Sequence, residues 1–249
     1  MILLLAACLE SLLEAPFILS AGMGPVQDLS PTPDRDLFAA TEDGIFLVTA
    51  EGTAVLKDPL QARAITAHMS RIYVLHEDVL QWTALPLGAA EWKRLPAPGQ
   101  TNDIQAWCDE VVLLATSDGL MRWIPDTGSI TPMPWGGPAE HLSLMSGAPC
   151  GEVVTSEQGT VTHHRGADAT VLARDLGVIH ALTVAADGSV WVVHREAPVL
   201  SMLSGGLPEV RARHLGDVRA VQFGSGGVWA PENAYLASGE GRIDYARVR

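Results

Sequence analysis

Positive charge is scarce in this chain: its 249 residues include 16 Lys and Arg against 29 Asp and Glu, a formal charge of −13. That balance repels nucleic-acid phosphates and anionic lipid headgroups, so nucleic acid is not an expected partner. Long apolar runs are missing as well. No internal stretch approaches the roughly 20 residues needed to cross a bilayer, and no low-complexity tract or linker stands out. The contiguous catalytic signatures are also absent: there is no Gly-x-Ser-x-Gly elbow, His-Glu-x-x-His helix, phosphate-binding Gly-Lys-Ser/Thr loop or Cys-x-x-Cys pair. This removes the chemistries that depend on local motifs, but not a site assembled from dispersed residues. Cysteine is limited to Cys8, Cys108 and Cys150.

What the chain does contain is an echo with a period near 38 residues. Matching segments start at Gln27, Arg63, Asp103, His141, His180 and Arg219, separated by 36, 40, 38, 39 and 39 residues. Each opens with a short apolar stretch (ITAHM, IQAWC, LSLM, ALTVA, AVQF) and turns into a second (IYVL, VVLLAT, EVVTS, VWVV, VWA). Runs this short and rich in Val, Thr and aromatics read as strands, not helices. A second series of turns, at Asp43-Gly44, Asp78-Val79, Asp118-Gly119 and Gln158-Gly159, supplies residues suited to tight hairpins.

A four-stranded all-β unit at this spacing is a propeller blade. The expectation is therefore an all-β, six-bladed β-propeller of four-stranded antiparallel blades, forming one domain over residues 15–249. Only three strands remain in the sixth repeat, and Ala15 to Ser20 is unassigned, so this N-terminal segment is expected to supply the missing outer strand. The tryptophans read as packing between wedge-shaped sheets, with Trp191 and Trp229 in the same second-strand slot.

Residues 1–14 form a separate segment. Leu5-Ala6-Ala7-Cys8, preceded by apolar residues, resembles a bacterial lipoprotein signal, in which Cys8 would become the lipidated first residue. The basic n-region is missing and the apolar run has about seven residues, at the low end for such signals. Both departures are accounted for if translation starts further upstream. The alternative is a buried or helical N-terminal segment of a cytoplasmic protein. Export would leave Cys108 and Cys150 as an even pair in an oxidising compartment, each at the turn after a first strand in adjacent repeats. A disulfide between them and two free thiols are both open at this level.

The candidate ligand site is the ring of repeat starts, because equivalent inner-strand ends converge at one mouth of a propeller channel. Gln27, Arg63, Asp103, His141, His180 and Arg219 are polar where the residues that follow are largely apolar. Arg63 and Arg219 suit an anion, whereas Asp103, His141 and His180 have the ligand chemistry of a transition metal. No catalytic residue, resident metal or cofactor is assigned. His163-His164 is a poor chelate because neighbours on a strand face opposite ways, and the pair reads as a solvated strand end.

The stretch from Ile179 to Val193, an apolar strand followed by Asp187-Gly188 and then an aromatic strand, resembles the repeat of two-component-regulator-type propellers; Val218 to Trp229 is a weaker copy. The resemblance implies sensing or protein interaction on a rigid scaffold and transfers no catalytic residue. The leading expectation is a monomeric, non-enzymatic propeller of the bacterial cell envelope that binds a protein or a small polar ligand. Its only contact with a membrane would be the lipid anchor. The alternative is a propeller hydrolase or lactonase, metal-dependent or not, working at the same mouth.

Overall fold

A computed structural model describes residues 17–31, 36–49, 52–57, 61–68, 70–85, 91–108, 110–145, 150–185, 187–196, 199–212, 216–223 and 233–247. These residues form six sheets of four antiparallel strands, with no helix among them. Each sheet is a blade, and the fold is the all-β six-bladed propeller that the period predicts. In blades 1 to 5 (26–57, 62–96, 101–132, 141–173 and 179–212) four consecutive strands run outward from the axis in chain order.

Blade 6 is made from both ends of the chain. Val218–Phe223, Asn233–Ser238 and Ile243–Arg247 form its inner three strands, and Phe17–Ser20 pairs antiparallel with the last of them, Phe17 opposite Tyr245 and Ile18 opposite Asp244. The ring is thus closed by hydrogen bonds between termini, which gives the outer edge of Ile243–Arg247 a partner. Gly241 makes the closure compact: its backbone is left-handed, φ +73°, and a Cβ there would run into the Met23 carbonyl of the incoming segment.

The second strand of blade 6 differs from the expected position. It is Asn233–Ser238, not the stretch around Trp229, which lies outside the described residues. Register shows what fills the Trp191 slot. Phe38, Tyr73, Leu113, Val154, Trp191 and Tyr235 lie opposite Ser30, Thr66, Gln105, Ser143, Thr183 and Gln222 on their inner strands. All six large or branched side chains are buried, so Tyr235 is the counterpart of Trp191. The dipeptide Val-Trp misled the alignment because the slot requires bulk rather than tryptophan.

The core is a ring of six apolar clusters, one at each seam between neighbouring blades. The seam of blades 2 and 3 is the most aromatic. Trp123 is fully buried there, with Tyr73 and Trp82 edge-on to it at centroid distances of 5.7 and 5.0 Å. Such pairs add about 0.5–1.5 kcal/mol each beyond the area they bury.

Cys108, at the end of the inner strand of blade 3, is disulfide-bonded to Cys150 in the corresponding turn of blade 4, with Cα atoms 4.9 Å apart. The bond fastens one seam at the face of the ring opposite the inner-strand starts.

Removing residues 1–20 is expected to open blade 6. Losing the pairing of Phe17–Ser20 costs about 2–4 kcal/mol at roughly 1 kcal/mol per hydrogen bond, which for a chain of this size lowers Tm by about 4–16 °C. A truncated protein with an unchanged calorimetric Tm would show that this strand does not hold the ring shut.

Candidate functional site

The inner strands decide which side chains reach the channel mouth. In five blades the inner strand carries a bulge after its first residue, leaving Gln27, Arg63, Asn102, His180 and Arg219 without a partner on the second strand. A bulge bends the strand and re-aims the extra side chain. The next residue rejoins the ladder: Asp28, Ala64, Asp103, Ala181 and Ala220 face Ala40, Leu75, Ala115, Val193 and Ala237. Blade 4 has no such bulge. His141 pairs directly with Ser156, which puts it in this second tier, with Glu140 preceding it.

Gln27, Arg63, Asp103, His141, His180 and Arg219 all line one cavity of about 190 Å³, together with Asp28 and Asn102. They occupy two tiers rather than one ring. Gln27, Arg63, His180 and Arg219 share the bulge tier with Asn102; Asp103 and His141 belong one residue further along, with Asp28. The sequence alignment slipped by one residue in blades 3 and 4, because a bulge adds a residue to the backbone without marking its composition. One signal could have exposed the slip: Gln27-Asp28-Leu29 and Asn102-Asp103-Ile104 share an amide–aspartate–aliphatic triplet, which aligns Asn102 with Gln27 and reveals Asp28.

The upper tier is bound into local networks to different extents. Arg219 donates from Nε to Asp217 at 3.0 Å and lies 3.6 Å from Glu42, whose carboxylate also accepts a bond from Gln27 at 2.9 Å. This cluster bridges blades 6 and 1. Gly239 leaves room for it, since a Cβ at that position would collide with both Asp217 and Arg219. Among the described residues Arg63 donates to the Thr101 carbonyl of the next blade, at 3.0 Å, and has no carboxylate partner. Burial holds the His180 imidazole below its ordinary range, opposed by the Asp217 carboxylate.

In the lower tier, Asp28 accepts from the amides of Leu29 and Ile65, both at 2.8 Å, and Asp103 from those of Ile104 at 2.8 Å and Leu142 at 2.9 Å. Each carboxylate therefore ties its own blade to the next. Both are partly open to the channel by exposed area, yet the inner strands enclose them, and for a charge that enclosure counts most. Desolvation raises the pKa of Asp28 well above the usual carboxylate range, with the Asp103 charge adding to the rise and the two amide bonds opposing it. Asp103 is also raised by burial, against the His141 charge and its own amide bonds. Below the mouth the channel continues into a second cavity of about 130 Å³, and Asp28 and Asp103 line both.

Among the described residues no three His, Cys, Asp or Glu side chains converge in a way that could hold a metal ion. The histidine pair of the fourth blade splits as strand alternation requires. His163 reaches Glu152 at 2.9 Å, but His164 is not solvated: it is buried, bonds Thr155 at 2.9 Å and stacks on Trp135 at 5.5 Å. Cys8 lies outside the described residues.

The chain matches no protein-family model and no curated protein sequence. Solved structures show the same fold. A gluconolactonase from Xanthomonas campestris is 12% identical, with 94% of this chain and 89% of that one covered and a TM-score of 0.71. The PQQ-bound aldose sugar dehydrogenase of Streptomyces coelicolor is 15% identical over 95% and 98%, with a TM-score of 0.66. The extracellular domain of a B. thetaiotaomicron protein assigned as a hybrid two-component system is 11% identical at a TM-score of 0.61; 94% of this chain covers 40% of that one. At such identities the likeness is one of fold.

A carboxyl group whose pKa is raised by folding stabilises the fold most below its unfolded pKa, and that contribution is lost as pH rises through the folded value. Replacing Asp103 with Asn removes the charge that adds to the Asp28 shift. The Asp28 titration midpoint, read by carboxyl ¹³C NMR, is expected to fall in Asp103→Asn while staying above the usual range, because burial is the larger cause. A midpoint identical to the wild type would show that the two carboxyls do not sense each other.

Proposed function

We propose that this protein is a non-enzymatic binding propeller whose channel mouth takes a small anionic or polar ligand. The observation that carries this reading is Arg63, a guanidinium lining the cavity whose charge is matched by no carboxylate among the described residues. A carboxylate or phosphate there gains charge-assisted, bidentate hydrogen bonds. His180, Asn102 and Gln27 line the same cavity and offer donors around it. Arg219 is already engaged by Asp217 and Glu42 and contributes less.

A hydrolase or lactonase at the same mouth is the second reading, and it draws support from the lactonase and a streptogramin B lyase of the same fold, the latter 12% identical at a TM-score of 0.64. It would need a nucleophile or an open metal shell at the mouth; the binding reading is placed first because Arg63 lines the cavity without a carboxylate partner among the described residues.

We further propose an extracytoplasmic location with Cys8 as a lipid anchor. The support is the Leu-Ala-Ala-Cys sequence together with a Cys108–Cys150 disulfide, a bond that persists in oxidising compartments. Expressed from its native gene in a bacterial host, the protein is expected to carry a diacylated Cys8 at its N-terminus and no thiol that alkylates before reduction. Mass spectrometry showing an intact Met1 or two free thiols would reject this location.

Isothermal titration with inorganic phosphate and with L-lactate tests the binding site. Arg63→Ala is expected to weaken whichever anion binds by roughly 10-fold or more, the worth of a hydrogen bond to a charged group, and Arg219→Ala to weaken it less. Equal affinity of the bound anion in wild type and Arg63→Ala would remove the site.

A further inference from the structure

The cavity holds unanswered charges of both signs, and they lie in different tiers. In the upper tier is Arg63, without a carboxylate partner among the described residues. One residue further along the inner strands are Asp28 and Asp103, which have no Lys or Arg within ion-pair distance among the described residues. Their bonds are to backbone amides, one per oxygen. Each carboxylate oxygen has a second lone pair, so both groups can still accept. The rest of their tier consists of His141 and three alanines, Ala64, Ala181 and Ala220, which leave space where larger side chains would fill the channel.

A simple anion answers only half of this arrangement. It satisfies Arg63 but leaves two carboxyls, on blades 1 and 3, lining the same two cavities of the channel, where the charge of one raises the pKa of the other. A simple amine answers only the other half. A molecule with a carboxylate at one end and an ammonium a few bonds away meets both tiers at once, each of its charges finding a partner that it would otherwise lose on leaving water. The size also fits. A water molecule takes about 30 Å³ of liquid, so 190 Å³ admits a solute of roughly six to ten heavy atoms.

We infer that the channel mouth recognises a zwitterionic small molecule, an α-amino acid or close relative, with its carboxylate on Arg63 and its ammonium between Asp28 and Asp103. This rests on the anion-binding reading and narrows it. Uncharged hydroxyls could also donate to the two aspartates, so the discriminating comparison is between an amino acid and the hydroxy acid of the same shape.

Calorimetric titration of the full chain with three matched pairs makes that comparison: L-alanine and L-lactate, L-glutamate and L-2-hydroxyglutarate, L-valine and L-2-hydroxyisovalerate. In at least one pair the amino acid is expected to bind 10-fold or more tightly than its hydroxy partner. Asp103→Asn is expected to erase that preference while the hydroxy acid binds as before, and Arg63→Ala to weaken both members of the pair. Because the wild-type comparison does not depend on any variant folding, it decides by itself. Hydroxy acids binding as tightly as their amino acids in every pair would overturn the zwitterion and leave the anion site standing. Failure of all six compounds together with phosphate would overturn both.

Discussion

The rest of this structure depends on how the innermost strand of each blade satisfies its free edge. A four-stranded sheet pairs that strand on one side only, and in a ring the other side faces a neighbouring blade and a narrow channel where few waters fit. Unpaired backbone donors there are costly. Side chains of the preceding blade meet part of the demand: Asp28 bonds the Ile65 amide, Ser30 the Ala67 amide, Thr66 the Ala106 amide and Asp103 the Leu142 amide. Polar residues in the inner strands therefore staple the seams between blades 1 and 2, 2 and 3, and 3 and 4, and the apolar clusters behind them pack all six seams.

The same arrangement gives the channel its chemistry. A staple that accepts from a backbone amide has to be an oxygen-bearing side chain, and where it is a carboxylate it brings charge into an enclosed space. The two aspartates are thus structural and electrostatic at once. Their enclosure raises their pKa values, so ionising both is costly. The alternation of aspartate, histidine and alanine around the second tier breaks the sixfold symmetry of the scaffold. A symmetric ring would present equal groups on all sides; this one presents a polar sector and an open one.

The structural neighbours include an aldose sugar dehydrogenase, a gluconolactonase and the extracellular domain of a protein assigned as a hybrid two-component system, all at 15% identity or below. A ring of sheets packed on apolar seams tolerates wide substitution as long as bulk and alternation are kept. Shared fold therefore does not by itself establish shared chemistry, and the function of this chain has to be argued from its own mouth residues.

Blade number, strand number and N-terminal closure follow from period, turn residues and the unassigned Ala15 to Ser20 segment, because each is a consequence of spacing along the chain; spacing put Cys108 and Cys150 at equivalent turns of adjacent repeats and left bonded and free open, and only the fold shows them bonded. The gathering of Gln27, Arg63, Asp103, His141, His180 and Arg219 at one mouth was likewise legible, since equivalent ends of equivalent strands converge. Their two tiers were not. A bulge shifts register by one residue through backbone geometry, and its absence from blade 4 puts His141 level with Asp103. Nor did the linear pattern reveal the inward turn of His164 or the substitution of Tyr235 for the expected Trp229. Which face a side chain takes depends on the strand packed opposite it, and only the assembled ring supplies that strand.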